Sequence, residues 1–175
     1  MTATRLAWPL VALAVVFVTM AAEARLSSAN ERVLLARGAR LVTDASYPWM
    51  RIAYPLGFVA IAVEGLYRGA AWNGWAAAGL TIYAAGKLVK YAAIAALGVR
   101  WSFRVLVLPD APLVTHGPYR FVRHPNYLGV VGEIVGLAVW LQAPIAGTLC
   151  GVTFGLILLW RIRIEARALG LDSRA

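Results

Sequence analysis

The chain has 175 residues, of which 61% are hydrophobic and 14% charged. Soluble domains average about 25% charged residues, so this composition excludes an ordinary water-soluble core and points to a single membrane-embedded domain over residues 1–175. The net charge of +9 comes from arginines in short segments between apolar runs, with no basic stripe interleaved with aromatics, which excludes a nucleic-acid partner and makes the charge an orienting signal in a bilayer.

A helix that crosses a bilayer needs about 20 largely apolar residues. Five stretches meet that need: 6–22, 47–67, 71–97, 126–143 and 146–162. The fold class expected is therefore all-α, an integral membrane bundle of five transmembrane helices. After the first crossing, residues 23–46 read as an amphipathic segment lying at the interface with Leu34, Leu35 and Leu41 toward lipid. A signal peptide cleaved at "AEA", 22–24, would leave the arginines of 25–46 outside, against the charge rule. The second and third crossings are joined by the polar turn "YRGAAWNG". The fourth and fifth are joined by "QAPIAG", and the fifth continues into the charged helical tail "RIRIEARALG".

Five crossings put 23–46, 98–125 and the tail on one side. Arg25, Arg32, Arg37, Arg40, Arg100, Arg104, Arg120, Arg123, Arg161, Arg163, Arg167 and Arg174 fall there, against Arg5 and Arg68 on the other. That asymmetry places the N-terminus outside and the three basic segments in the cytoplasm. Gly132 and Gly136, and likewise Gly147, Gly151 and Gly155, recur at a spacing that lets helix backbones approach closely in lipid. The single Cys150 reads as a small packing residue.

Arg51, Lys87, Lys90 and Glu133 fall inside predicted crossings. Lys90 and Glu133 each lie seven residues from the cytoplasmic end of their helices, roughly 10 Å deep at the rise of an α-helix, so they are placed to pair. Two readings stand: the lysines snorkel and the pair is structural, or the charges line a cavity open to the cytoplasm.

The densest chemistry is "HGPYRFVRHPNYLG", 116–129, which holds both histidines. Pro118 and Pro125 prevent one helix from running through it, so the stretch is expected to turn and the fourth crossing to begin near Pro125. A helix start offers amide groups to a carboxylate or phosphate. Arg120 and Arg123 add planar cationic forks, and the rings of Tyr119 and Tyr127 suit an onium cation or an aromatic ring. Such a set suits a zwitterionic ligand that carries a ring. Two histidines without a cysteine partner or HxxxH spacing do not make a metal site, and no nucleophile elbow is present. On the residues alone, a loop that binds lipid headgroups without catalysis stays open.

This motif, with "RIRIEARAL" at 161–169, resembles the isoprenylcysteine carboxyl methyltransferase family. Gly117, Pro118, Tyr119, Arg120, Arg123, His124, Pro125 and Tyr127 match its GPYR-x-x-RHP-x-Y run. Arg161, Glu165 and Leu169 match its terminal Arg-x-x-x-Glu-Glu-x-x-Leu helix, with Ala166 where a second glutamate is common. The likeness covers approximately 75–170. It implies an S-adenosylmethionine-dependent methyltransferase of a bacterial inner membrane, releasing S-adenosylhomocysteine. It further implies a cytoplasmic cofactor site between the 98–125 loop and the C-terminal helix, and a route from the bilayer for a lipophilic acceptor. His116, Gly117, Pro118, Tyr119, Arg120, His124, Pro125, Tyr127 and Glu165 would then contact the cofactor. Arg123 and Arg161, and less directly Arg104, would orient an anionic acceptor oxygen. The family's name implies the carboxylate of a prenylated cysteine. Residues 96–114, "ALGVRWSFRVLVLPDAPLV", look like bacterial relatives that methylate ring hydroxyls of alkylpyrones or other polyketide lipids. A phospholipid N-methylating enzyme and a non-catalytic lipid-binding subunit are the further alternatives.

Overall fold

The computed structural model describes residues 3–170, with side chains from Trp8 onward; Arg5 and Arg174 of the charge tally lie outside the described side chains. The described residues are all-α apart from one pair of two-residue strands. Its helices are α1 (Ala3–Ala36), α2 (Tyr47–Arg68), α3 (Gly74–Leu97), α4 (Pro125–Trp140) and α5 (Pro144–Ala168). Among the described residues, four helical stretches are long and apolar enough to cross a membrane: Trp8–Ala36, Tyr47–Arg68, Gly74–Arg100 and Pro144–Ala168. The fourth expected crossing, α4, has 16 residues and is about 24 Å long, short of a hydrocarbon layer of about 30 Å.

The segment after the first crossing is not a separate interfacial element. α1 runs unbroken for 34 residues. One face of its second half, carrying Glu23, Ser27, Asn30 and Leu34, is buried. Leu34, expected toward lipid, is 1% exposed, while Leu35 and Leu41 are exposed as expected. The residues at i, i+4, i+7 and i+11 make a packing face, and its polar members bond to the rest of the chain. Glu23, inside the tripeptide that resembles a cleavage site, is one of them.

α3 and α4 pack with their backbones in contact. A Cβ added at Gly79 would lie 2.0 Å from the amide nitrogen of Trp140, and one at Gly136 would lie 2.3 Å from that of Tyr83. Gly132 packs on Gly86 in the same seam. This is the close approach that small residues permit in lipid. The second expected glycine seam is absent. Gly147 faces Ala138, but a Cβ at Gly151 or Gly155 would meet nothing within 4 Å among the described residues. α5 instead seats Phe154 and Leu158 in the core with Phe58, Ile61 and Ala62 of α2 and Ile134 and Leu137 of α4.

The turns have clear local causes. The side chain of Asn73 caps α3 by accepting from the amide of Ala76 at 3.0 Å. The Glu64 carboxylate of α2 accepts from the amides of Ile145 at 3.2 Å and Ala146 at 2.5 Å, which satisfies orphan donors at the start of α5. Between α4 and α5, Gln142 donates to the carbonyl of Ala71 at 2.7 Å, tying the two turns of this end together.

At the other end, β1 (Arg40–Leu41) pairs antiparallel with β2 (Leu106–Val107), extended by a bond from the Val42 amide to the Val105 carbonyl at 2.9 Å. The 98–125 segment is otherwise irregular, with single 3-10 turns at Gly98–Arg100 and Gly117–Arg120. The expected turn through "HGPYRFVRHP" and a fourth helix starting at Pro125 are both present.

The pairing of Lys90 with Glu133 is present, at 3.2 Å, but belongs to a larger closed set. Lys87 meets Glu23 at 2.8 Å and Glu133 at 3.0 Å, and Lys90 meets Glu23 at 2.6 Å. Tyr54 of α2 donates to Glu133 at 2.7 Å. Two carboxylates and two ammonium groups thus cancel, with contributions from α1, α3 and α4 and a hydroxyl from α2. All four charged residues are buried. The lysines therefore neither snorkel nor line an open cavity. Arg51, by contrast, is exposed in the first turn of α2, with its guanidinium over the Tyr47 ring.

Candidate functional site

Arg161 is the centre of the polar cluster at the strand-pair end, and it is 3% exposed. α5 carries it one helical turn before Glu165, so both project on one face. Its Nε donates to the Tyr127 hydroxyl at 2.8 Å and to Glu165 Oε1 at 3.1 Å. Nη1 donates to Asp44 Oδ2 at 2.7 Å, and Nη2 donates to the carbonyl of Phe103 at 2.6 Å. One guanidinium thus ties α5 to the start of α4, to the linker before α2 and to the 98–105 loop. A planar fork is the side chain that can meet such dispersed acceptors in fixed geometry.

Asp44 is itself held. Its Oδ1 accepts from the Ser46 amide at 2.9 Å and from the Ser46 hydroxyl at 2.5 Å. Tyr127 donates a short hydrogen bond to Glu165 Oε1. His124, the residue before α4, stacks on the Tyr127 ring at 5.5 Å between centroids, and its Nδ1 lies 3.7 Å from Glu165 Oε2. Burial pushes the His124 imidazole below its usual range; the Arg123 charge adds to the lowering, and together they outweigh the opposing pull of Glu165. The imidazole is therefore neutral at pH 7. Burial, then the Glu165 charge, pushes the Tyr119 phenol up to about 12, so it stays protonated.

The charge balance of the cluster follows. Asp44 and Glu165 carry two negative charges and Arg161 one positive, with His124 neutral. Among these four side chains the surplus is negative, on a Glu165 side chain that keeps 21% of its surface exposed. Such a site favours an ammonium, a sulfonium or a hydroxyl donor at Glu165.

The motif residues divide accordingly. His124, Tyr127, Arg161 and Glu165 come together, with Tyr119 close enough to feel the Glu165 charge. Pro125 is buried at the first position of α4. Gly117 has φ +58°, a conformation that L side chains rarely adopt, and a Cβ there would press on Ala96 at 3.2 Å; Pro118 follows it in the same turn. His116, Arg120 and Arg123 are exposed on that turn, and the Arg120 guanidinium sits over the Phe121 ring at 4.9 Å. None of these three touches the Arg161 cluster in the described structure. Two expectations of this stretch change. The α4 start is poorer in amides than a helix start ordinarily is, since Pro125 has none and those of Tyr127 and Leu128 bond to the His124 carbonyl. One face of Tyr127 is already covered by His124.

Asp44, Ser46 and the Phe103 carbonyl belong to the site and escaped the sequence reading. Asp44 carried a signal: it is the single acidic residue between Glu31 and Glu64 and stands two residues before a helix start at Ser46. A backbone carbonyl carries none. A groove of about 660 Å³ lies at the opposite end, lined by Trp75, Val139 and Pro144 with Arg68, Gln142 and Thr148, and holds none of the motif residues. No group of three or more metal-ligating side chains occurs among the described residues.

The chain has relatives that bear on this site. It is 30% identical over 157 residues to the uncharacterized protein YpbQ of Bacillus subtilis, covering 90% of this chain and 94% of that one. An uncharacterized protein of Haemophilus influenzae is 26% identical over 145 residues, covering 82% and 84%. Protein-S-isoprenylcysteine O-methyltransferase A of Arabidopsis thaliana is 33% identical over 85 residues, covering 47% of this chain and 41% of the plant protein. No solved structure matches. Residues 77–171, which contain both the 116–129 loop and the segment carrying Arg161 and Glu165, match the family model of isoprenylcysteine carboxyl methyltransferases; with its long apolar helices, this integral membrane protein belongs to the isoprenylcysteine carboxyl methyltransferase family.

Proposed function

We propose that the protein is an S-adenosylmethionine-dependent O-methyltransferase acting on an acidic oxygen of a lipophilic acceptor. The observation that carries the reading is the partly exposed Glu165 carboxylate, held by Arg161 and Tyr127 beside a neutral His124. The donor set fits the cofactor. Glu165 holds an ammonium or a ribose hydroxyl, His124 contributes a hydrogen bond to the same ligand, and Tyr119 offers a ring beside a cationic sulfur. The exposed Arg120 supplies positive charge, and His116 a ring N–H, for the cofactor's carboxylate. When bound, the cofactor supplies an electrophilic methyl group on sulfonium sulfur. The protein's part is to align and desolvate, since an in-line displacement with a good leaving group needs no covalent protein intermediate.

Arg161 acts in this scheme as a positioning residue, because its charge is spent on Asp44 and Glu165. Arg123 is the arginine left to orient the acceptor oxygen. A groove of about 320 Å³ between α2 and α5, lined by Ala53, Leu56, Gly57, Cys150 and Phe154, gives the acceptor's hydrocarbon tail an apolar seat. Phe154 is two helical turns from Arg161, about 10 Å.

Binding of S-adenosylhomocysteine to the detergent-solubilised protein, with transfer of labelled methyl into extracted lipid, tests the assignment. His124→Ala and Glu165→Ala are each expected to weaken binding roughly ten- to a hundredfold, the equivalent of one hydrogen bond to a charged group. Arg123→Ala should keep cofactor affinity within a few-fold while transfer collapses, and Arg123→Lys should rescue little. Loss of binding in Arg123→Ala with retention in Glu165→Ala would reverse the two roles. Parental behaviour in every variant would place the site elsewhere.

The same reading has five crossings, the short α4 included, an outside N-terminus and a cytoplasmic site in a bacterial inner membrane. Ser28 is exposed beside the buried Ser27. In a Cys150→Ala background, Ser28→Cys is expected to react with an impermeant thiol reagent only after the cells are opened. Labelling in intact cells would overturn the orientation.

A further inference from the structure

Arg161 needs the Phe103 carbonyl, and the loop that carries Phe103 has no regular structure of its own between the 3-10 turn at Gly98–Arg100 and β2. Its conformation is imposed by α1. The Asn30 side-chain amide donates to the carbonyl of Trp101 at 2.8 Å and to that of Gly98 at 3.4 Å. The Ser27 hydroxyl accepts from the Phe103 amide at 2.8 Å and donates to Glu31 at 2.9 Å. Ser27 and Asn30 are both buried. The Phe103 peptide unit is thus gripped from two sides, its amide by α1 and its carbonyl by Arg161. The Trp101 indole reaches on to Asn126 at the start of α4, at 3.3 Å.

We propose that Ser27 and Asn30 are positioning residues for methyl transfer: they set the 98–103 loop so that its Phe103 carbonyl, together with Asp44, orients Arg161 and through it Glu165 and Tyr127. Both lie outside the family-matched segment 77–171, in a helix whose other buried polar residue, Glu23, serves the lysine pair one turn away. A local amide, that of Trp101, serves the Gly98 carbonyl at 3.1 Å, so the part left to α1 is the Trp101 carbonyl and the Phe103 amide. A short irregular loop with unmet carbonyls in a buried setting adopts whatever conformation satisfies those groups, and here α1 supplies the donors and the acceptor. The proposal rests on the site reading above for its functional consequence, but the clamp can be measured by itself.

The experiment compares Ser27→Ala, Ser27→Thr and Asn30→Asp with the parent and with Glu165→Ala in detergent. Amide hydrogen exchange over 98–107 reads the clamp, S-adenosylhomocysteine affinity reads the site, and kcat against the apparent KM for extracted lipid as acceptor reads the transfer of labelled methyl. Asn30→Asp keeps the size of the side chain and removes its donor. Expected in Ser27→Ala and Asn30→Asp are faster exchange at 98–107, cofactor-product affinity weaker by about tenfold, and a lower kcat at little-changed acceptor KM. Ser27→Thr keeps the hydroxyl and should restore all three toward the parent. Should Ser27→Ala not be recovered folded, Asn30→Asp carries the same comparison. Unchanged exchange in both variants overturns the clamp. Faster exchange with parental affinity and kcat shows a loop held for stability alone and overturns the positioning role. If Glu165→Ala binds like the parent while Ser27→Ala does not, the fault lies with the Glu165 assignment and the clamp stands.

Discussion

Lys90→Met is expected to destabilise the protein by about 3–5 kcal/mol, the usual cost of removing one member of a buried ion pair. The reason is charge count more than lost contact. Glu23, Lys87, Lys90 and Glu133 sum to zero, with distances of 2.6–3.2 Å between oppositely charged partners. Without Lys90, two carboxylates share one ammonium at a depth where water cannot screen them. Lys90→Met combined with Glu133→Gln restores neutrality. It leaves the Glu23–Lys87 pair intact and keeps an acceptor oxygen for Tyr54. The double variant should therefore cost less than the sum of its single substitutions, with a coupling on the order of 2 kcal/mol. Denaturation midpoints in mixed detergent measure all three. Strict additivity would mean that the four charges do not act as one set.

The largest functional effect is expected at Arg161. Arg161→Met strands the buried Asp44 and removes the donor from the Tyr127 hydroxyl and the Phe103 carbonyl. Two lost charge-assisted bonds that orient Glu165 correspond to about 3–6 kcal/mol, or roughly 10²- to 10⁴-fold in S-adenosylhomocysteine affinity and methyl transfer together. Arg161→Lys keeps the charge but cannot reach acceptors on three segments, so it should recover less than a tenth of the lost affinity, on the order of one hydrogen bond. This pattern separates Arg161 from Arg123, whose loss should spare cofactor affinity. If Arg161→Lys binds the product like the parent, the guanidinium geometry is not what organises the site.

The membrane-embedded all-α class and the placement of α2 to α5 were legible in composition and in the lengths of the apolar runs, because a bilayer sets element length directly, whereas α1 runs on through the segment read as interfacial. The turn at 116–124 and the start of α4 followed from Pro118 and Pro125, whose ring constraints act locally. The Lys90–Glu133 contact was legible from depth alone, since rise per residue converts position in a helix into distance from its end. The α3–α4 seam was half legible. Gly132 and Gly136 showed it on one helix, whereas Gly79 and Gly86, seven apart, did not show the small-residue spacing of four and yet form the other side.

What stayed hidden were the partners across helices. Glu23, Ser27 and Asn30 repeat at helical spacing, a pattern shared by an interfacial helix and by a buried polar face; which one holds depends on whether α3 and the 98–103 loop cover it. Gly147, Gly151 and Gly155 show the reverse case: the spacing of a packing seam, with no helix laid against most of it. Sequence therefore determined the class of the protein, the ends of α2 to α5 to within a few residues and the family to which its motif belongs, all of which are set by local chemistry and by the thickness of the bilayer; the end of α1 at Ala36 it did not. Only the tertiary structure decided that Arg161 is enclosed between Asp44, Tyr127, Glu165 and Phe103, and that α1 holds the loop supplying one of them. Those contacts join residues up to 117 positions apart, and nothing in the local spacing of either partner encodes the other.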